Sequence, residues 1–328
     1  MNEDPEVQKL LADVVLYKVD AEKDAGVDLA KEHHVSGYPT FLMVNDELKP
    51  IDRWMGYTKP YLGTKMGRAL SDLSTIEEKE LSFGAKPTAD MAVRLADYNG
   101  AAGDYAMAVT YYRKAEKLDP ATPQGAEIFD ATYSGYRKDV FTQDDVLQAA
   151  ETALQRTDAG GTLDVCERMA FLGKQTEDKH LQAKFLRAAI DRTADATDAE
   201  IVKRRESMMP DYALYVENDG AKAVKLKRAS MPEGWMEDAG QLNSYAWWAF
   251  ESGVDTKGAL ALARKGADLA APGKEKAMIL DTAAELCNAL NDCHEAVALT
   301  KQAMAEDPES EYYKKQLDRF QDLLATQK

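Results

Sequence analysis

The sequence predicts an α+β amino-terminal lobe followed by a mostly α-helical repeat region. Three observations carry that prediction. Short strand-like runs of β-branched and aromatic residues occur before Gly56. From about Pro87 onward such runs vanish, and the loops carry Gly, Pro and Asp-Pro. Within the helical part, Ala108-Val109, Ala115 and Asp119-Pro120 return as Ala296-Val297, Ala303 and Asp307-Pro308. A chain of 328 residues allows about two or three domains. The expected division is a lobe over 1–75, a linker over 76–86 and a helical repeat domain over 87–328.

In the lobe, Val14-Val15-Leu16-Tyr17-Lys18-Val19-Asp20 reads as a strand buried on both faces. Residues 25–34 read as a helix with Leu29 and Ala30 facing inward. Gly37-Tyr38-Pro39 punctuates the chain, and a second strand follows at once through Val44. Asn45-Asp46-Glu47 makes a polar hairpin turn. A third strand over 50–55 ends at Gly56, and 58–74 reads as a helix.

In the repeat region, Leu95-Ala96 and Gly103 precede the first copy, and Ala283-Ala284 and Asn291 precede the second at matching offsets. A third copy, one residue out of step, runs through Leu242, Ala246, Gly253, Ala259, Gly266 and Pro272. Small residues at the matched positions let paired helices approach closely. The proline, which has no place in a helix interior, ends one pair and starts the next. This spacing resembles the tetratricopeptide repeat, a 34-residue helix-turn-helix. Residues 89–120 fit it at Leu95, Ala96, Gly103, Ala108, Tyr112, Ala115 and Pro120. Residues 277–308 fit except where Cys287 and Thr300 replace aromatics, and 241–272 fit less completely. The stretch 121–235 is helical but too degenerate to number. The first and last copies stand 188 residues apart, which is not a multiple of 34, so the array is irregular in its middle.

The order strand, helix, Val35-x-Gly37-Tyr38-Pro39-Thr40-Phe41, strand, turn, strand, helix resembles the second half of a thioredoxin-like domain, as in protein disulfide isomerases and their bacterial relatives. Asp20-Ala21-Glu22 and Gly56-Tyr57 fit the same family, and the likeness covers residues 4–72. It implies an incomplete thioredoxin-like fold. It also implies that Pro39 is a cis-proline whose loop, Tyr38, Pro39 and Thr40, presents backbone groups to peptides. The family's Cys-x-x-Cys pair occurs nowhere in the chain, so no catalytic residue is assigned; the chemistry needs a thiolate nucleophile and a resolving thiol. Asp4-Pro5-Glu6-Val7 resembles the end of the active-site helix. Three explanations stand open: Met1 is internal to a longer gene product, the lobe is a degenerate remnant, or its sheet is completed by a partner. Without its neighbours the 14–20 strand has an open edge, with Lys18 snorkelling to solvent.

Other features narrow the function. A net charge of -16 opposes nucleic-acid and anionic-membrane binding. No apolar run reaches a membrane span, and the polar start shows no signal peptide. Cys166, Cys287 and Cys293 read as small buried residues or idle thiols. Adjacent His33 and His34 diverge by about 100° on a helix, so no metal site is assigned. Lys222–Arg228 reads as a solvated helix face, and Trp235, Trp247 and Trp248 as inter-helix core. No cofactor is expected. The expected function is protein or peptide binding by the helical repeats. The alternative is a thiol–disulfide oxidoreductase whose Cys-x-x-Cys lies upstream. The chain as it stands is expected in the cytoplasm; with an upstream signal peptide and cysteine pair it would be periplasmic or otherwise extracytoplasmic.

Overall fold

The computed structural model describes residues 4–326; the start at Met1, on which one of the three explanations above rests, lies outside the described residues. The chain forms two compact units, one through Val165 and one from Cys166 onward. Among the described residues there are seventeen α-helices and one two-stranded sheet.

The first unit opens with α1 (Pro5–Leu10) and α2 (Ala25–Glu32), followed by β1 (Thr40–Val44), β2 (Pro50–Met55) and α3 (Lys59–Leu70). β1 and β2 pair antiparallel, Thr40 opposite Met55 and Leu42 opposite Arg53. Asn45 closes their turn, its Oδ1 accepting the amides of Glu47 and Lys49 at 3.1 and 2.8 Å. Val7, Trp54, Leu62, Met66 and Ala69 form the small core, and Phe41 stacks on Trp54 with centroids 5.4 Å apart.

The segment 14–20 is not a strand. It runs irregularly, with Val15 99% and Tyr17 82% exposed. Its residues suit a sheet interior, yet no neighbouring strand offers a ladder among the described residues; at its ends the Val14 amide donates to the Leu11 carbonyl and the Asp20 carbonyl accepts from Lys23. Leu29 and Ala30 of α2 are half-buried.

The segment 76–86, expected as a linker, carries a helix. It is the helix α4 (Ile76–Ala85), started by a capping box between Thr75 and Glu78. Lys79 is buried, and its ammonium donates to the carbonyls of Ile51, Asp72 and Ser74, tying α4 to β2. Burial lowers its pKa. The lobe and the first helical hairpin therefore share one compact unit.

That hairpin is α5 (Ala89–Ala102) and α6 (Tyr105–Leu118), followed by α7 (Gly125–Tyr136) and α8 (Gln143–Ala153). Asp97 on α5 accepts from Lys65 and Arg68 of α3 at 2.8 and 2.6 Å and from the Tyr112 hydroxyl at 2.5 Å, joining lobe to repeat. The unit boundary falls within α9 (Ala159–Gln175). The second unit continues with α10 (Lys179–Arg192), α11 (Ala199–Tyr215), α12 (Gly220–Ser230), α13 (Ala239–Ser252), α14 (Thr256–Leu269), α15 (Lys274–Ala289), α16 (Cys293–Glu306) and α17 (Glu311–Thr326).

From α5 to α16 the helices form six successive hairpins among the described residues, and the three recognised copies fall on α5/α6, α13/α14 and α15/α16. Each hairpin turns through a residue of positive φ: Gly103, Asp139, Glu177, Asn218, Gly253 and Asn291. In five of them the next amide reaches back five residues, as Asp104 to Asn99 at 2.9 Å and Asp178 to Gly173 at 2.8 Å, closing the helix end. These turns follow one another at 36, 38, 41, 35 and 38 residues. Every interval exceeds 34, which is why the outer copies fall out of phase. The matched small residues Ala96, Ala108, Ala115, Ala284, Ala296 and Ala303 are all buried, as close helix pairing requires.

Candidate functional site

The second unit carries a face built from the first helices of three successive hairpins, α9, α11 and α13. Arg204 on α11 grips Glu167 on α9 through two hydrogen bonds of 3.1 and 2.9 Å. Lys174 on α9 pairs with Glu251 on α13 at 2.6 Å. The Trp248 indole of α13 donates to Asp211 Oδ1 on α11 at 3.1 Å. Each of the three helices is thus cross-linked to the other two.

A recess of about 230 Å³ opens between α9, α10 and α11. Its apolar floor is Ala170, Leu186 and Met208, and its rim carries Lys174, Ser207 and Asp211. Phe171 lines it while staying 53% exposed. A large aromatic left this open beside an apolar recess is the kind of surface feature that marks an interaction site. The local cause is the tight α9/α10 turn. A Cβ on Gly173 would lie 2.6 Å from the Gln182 amide nitrogen, so only glycine lets α10 approach this closely. Asp178 then caps α10, accepting from His180 and Leu181.

Burial pushes the Tyr215 hydroxyl upward, with Asp211 adding to the shift. Asp211 accepts from the Trp248 indole and has no cationic partner among the described residues.

Tyr38, Pro39 and Thr40 lie together in one loop of the first unit. The Tyr38–Pro39 peptide bond is cis. Tyr38 and Pro39 are exposed; the Pro39 carbonyl accepts from Gly56 at 2.9 Å, and the Thr40 hydroxyl donates to the Gly37 carbonyl at 2.7 Å. His33 and His34 contribute their carbonyls to the Arg53 guanidinium. Among the described residues no group of three or more His, Cys, Asp or Glu is placed to hold a metal, and no helix is long and apolar enough to cross a membrane.

Two readings of side chains change. Trp235 and Trp248 pack against the α13–α16 core, but Trp247 is exposed and lies tilted beside Phe250 with ring centroids 5.3 Å apart. The basic run 222–228 is more than a solvated face: Arg228 donates to Tyr245 and Asp255, linking α12 to the start of α14. The three cysteines are free and buried. Desolvation pushes the Cys166 thiol up to about 12 and Cys287 up to about 11, which disfavours thiolate chemistry.

The groove residues went unassigned in the sequence because they fall in 121–235, where the copies are too degenerate to align. Asp139, Glu177 and Asn218 occupy turn positions where Gly103 and Gly253 stand elsewhere, hiding the register.

The chain matches no protein-family profile and no curated protein sequence. Among solved structures it is similar to a tetratricopeptide repeat protein from Parabacteroides merdae, at 13% identity and a TM-score of 0.42 over 75% of this chain and 91% of that one. It is also similar to the APC/C hetero-tetramer Cut9–Hcn1, at 13% identity and a TM-score of 0.40 over 74% of this chain. It spans 44% of the length of that second chain. The helical-repeat architecture stands on the six hairpins themselves.

Proposed function

We propose that this chain is a protein-binding helical-repeat scaffold and that the α9–α11–α13 face is where a partner segment docks. The observation that carries this is Phe171, 53% exposed at a recess floored by Ala170, Leu186 and Met208. Ion pairs and an indole hydrogen bond hold the three helices in register around it, so the surface is preorganised. Peptides selected from a random displayed library against the full chain should lose binding when Phe171 becomes Glu, with the urea midpoint unchanged. Selected peptides that bind Phe171→Glu as tightly as the parent would contradict the reading.

We further propose that residues 4–72 are a redox-inactive thioredoxin-like remnant whose loop of Tyr38, Pro39 and Thr40 contributes peptide contact. The order α2, β1, β2, α3 around that loop supports it, as does the exposure of Tyr38. The alternative is a thiol–disulfide oxidoreductase whose Cys-x-x-Cys lies upstream; in this chain Cys166, Cys287 and Cys293 are free and buried. Insulin reduction with dithiothreitol should run no faster with the chain than without it. Acceleration would overturn the redox-inactive assignment.

A further inference from the structure

Three carboxylates stitch the α9–α11–α13 face together, and they are not equivalent. Glu167 is neutralised by Arg204 and Glu251 by Lys174. Asp211 receives only the Trp248 indole N–H, a neutral donor, on one of its two oxygens. It lines the recess beside Met208 and Phe171. The face therefore carries one uncompensated negative charge at the mouth of an apolar recess, in a chain whose net charge is -16.

This combination discriminates among guests. An apolar side chain entering the recess would strip water from Asp211 and return nothing for it. An acidic side chain would meet both that charge and the field of the whole chain. A lysine or arginine satisfies both parts: its methylene stem covers apolar surface while its head reaches the carboxylate. At about 230 Å³ the recess suits one long side chain rather than a drug-sized ligand, which needs about 300 Å³ or more. Arginine suits it better than lysine, because its weakly hydrated planar guanidinium pairs with a carboxylate and stacks on an exposed ring such as Phe171.

Building on the docking face proposed above, we infer that the recess between α9, α10 and α11 takes a basic anchor residue, arginine before lysine, from a partner protein segment. The stem lies on Met208 and Leu186, and the head pairs with Asp211 against the Phe171 ring.

The test pans a random peptide library against the full chain and measures the selected synthetic peptides by fluorescence anisotropy. Selected peptides should share an arginine or lysine. Replacing that residue by glutamine in the peptide, or Asp211 by Asn in the protein, should each weaken binding about tenfold. The two changes together should cost little more than either alone, because both remove the same pair. The peptide substitution leaves the protein untouched, so the result stands even if Asp211→Asn disturbs folding. Peptides that depend on Phe171 but carry an apolar or acidic anchor, with affinity indifferent to Asp211→Asn, would overturn the basic-anchor inference and leave the docking face intact. Peptides indifferent to both Phe171→Glu and Asp211→Asn, or no selected peptides at all, would overturn both.

Discussion

Gly173 and Asp281 show how single residues set the terms for the second unit. Gly173 stands where α9 and α10 nearly touch, and the clash that a Cβ would make is with Gln182 backbone rather than a movable side chain. Gly173→Ala should therefore cost about 2–3 kcal/mol in urea denaturation, as overpacking against a fixed neighbour does; a change within about 0.5 kcal/mol, the size of an ordinary surface substitution, would contradict the close approach. Asp281 on α15 is buried against α17, where Tyr312 donates to its Oδ2 at 3.0 Å and its Oδ1 has no partner. Next to it Glu285 accepts from Gln316 and Arg319 of the same helix. Desolvation pushes the Asp281 carboxyl up to about 6. Because the folded pKa lies above the unfolded one, the folded chain holds this proton more tightly, and the stability that gives is lost as pH rises from about 4 to about 6. Asp281→Asn should remove that component and raise stability by about 1 kcal/mol at neutral pH relative to about pH 5, read as the difference in urea midpoints from the parent. An unchanged pH profile would show that Asp281 is not desolvated as described.

At the scale of elements, the turns decide how much could be seen in advance. The hairpins α5/α6 and α13/α14 turn through glycine, and α15/α16 through Asn291; these are the residues that tolerate a positive φ best. All three were legible as repeats. Glu177 holds the same backbone conformation without that tolerance, whereas Asp139 and Asn218 tolerate it, so the three middle hairpins were not legible because their helix positions are degenerate and not because of their turns alone. Glu177→Gly should stabilise the chain by about 0.5–1 kcal/mol, and Gly103→Ala should destabilise it by at least as much, both by chemical denaturation. The reverse order would mean that these residues do not close the turns. Elements were missed for other reasons too. The 14–20 run has the composition of a strand but lacks the neighbours that would make it one, and composition alone cannot supply a ladder. The 76–86 segment looked like a boundary because strands stop there, although Thr75 and Glu78 carry the spacing of a capping box. Phe171 sits in a helix between buried Ala170 and Leu172, yet it falls in helical phase with Asp164, Glu167, Arg168 and Lys174, so its exposure follows the polar face of α9.

For the whole molecule, the proposed binding role rests on the paired helices of the second unit. Among the described residues the three thiols are buried, and one recess brings together an exposed aromatic, an apolar floor and a carboxylate with no cationic partner. Binding through that carboxylate should weaken as salt is raised, in step with screening over about 10 Å at 0.1 M. Affinity independent of ionic strength would point to a purely apolar guest. The most direct test of the central claim is hydrogen–deuterium exchange of the full chain with and without a selected peptide. Protection should concentrate in α9, α10 and α11, around Phe171, Met208 and Asp211. Protection confined to the 14–57 region, or spread evenly over both units, would contradict a docking face on the second unit.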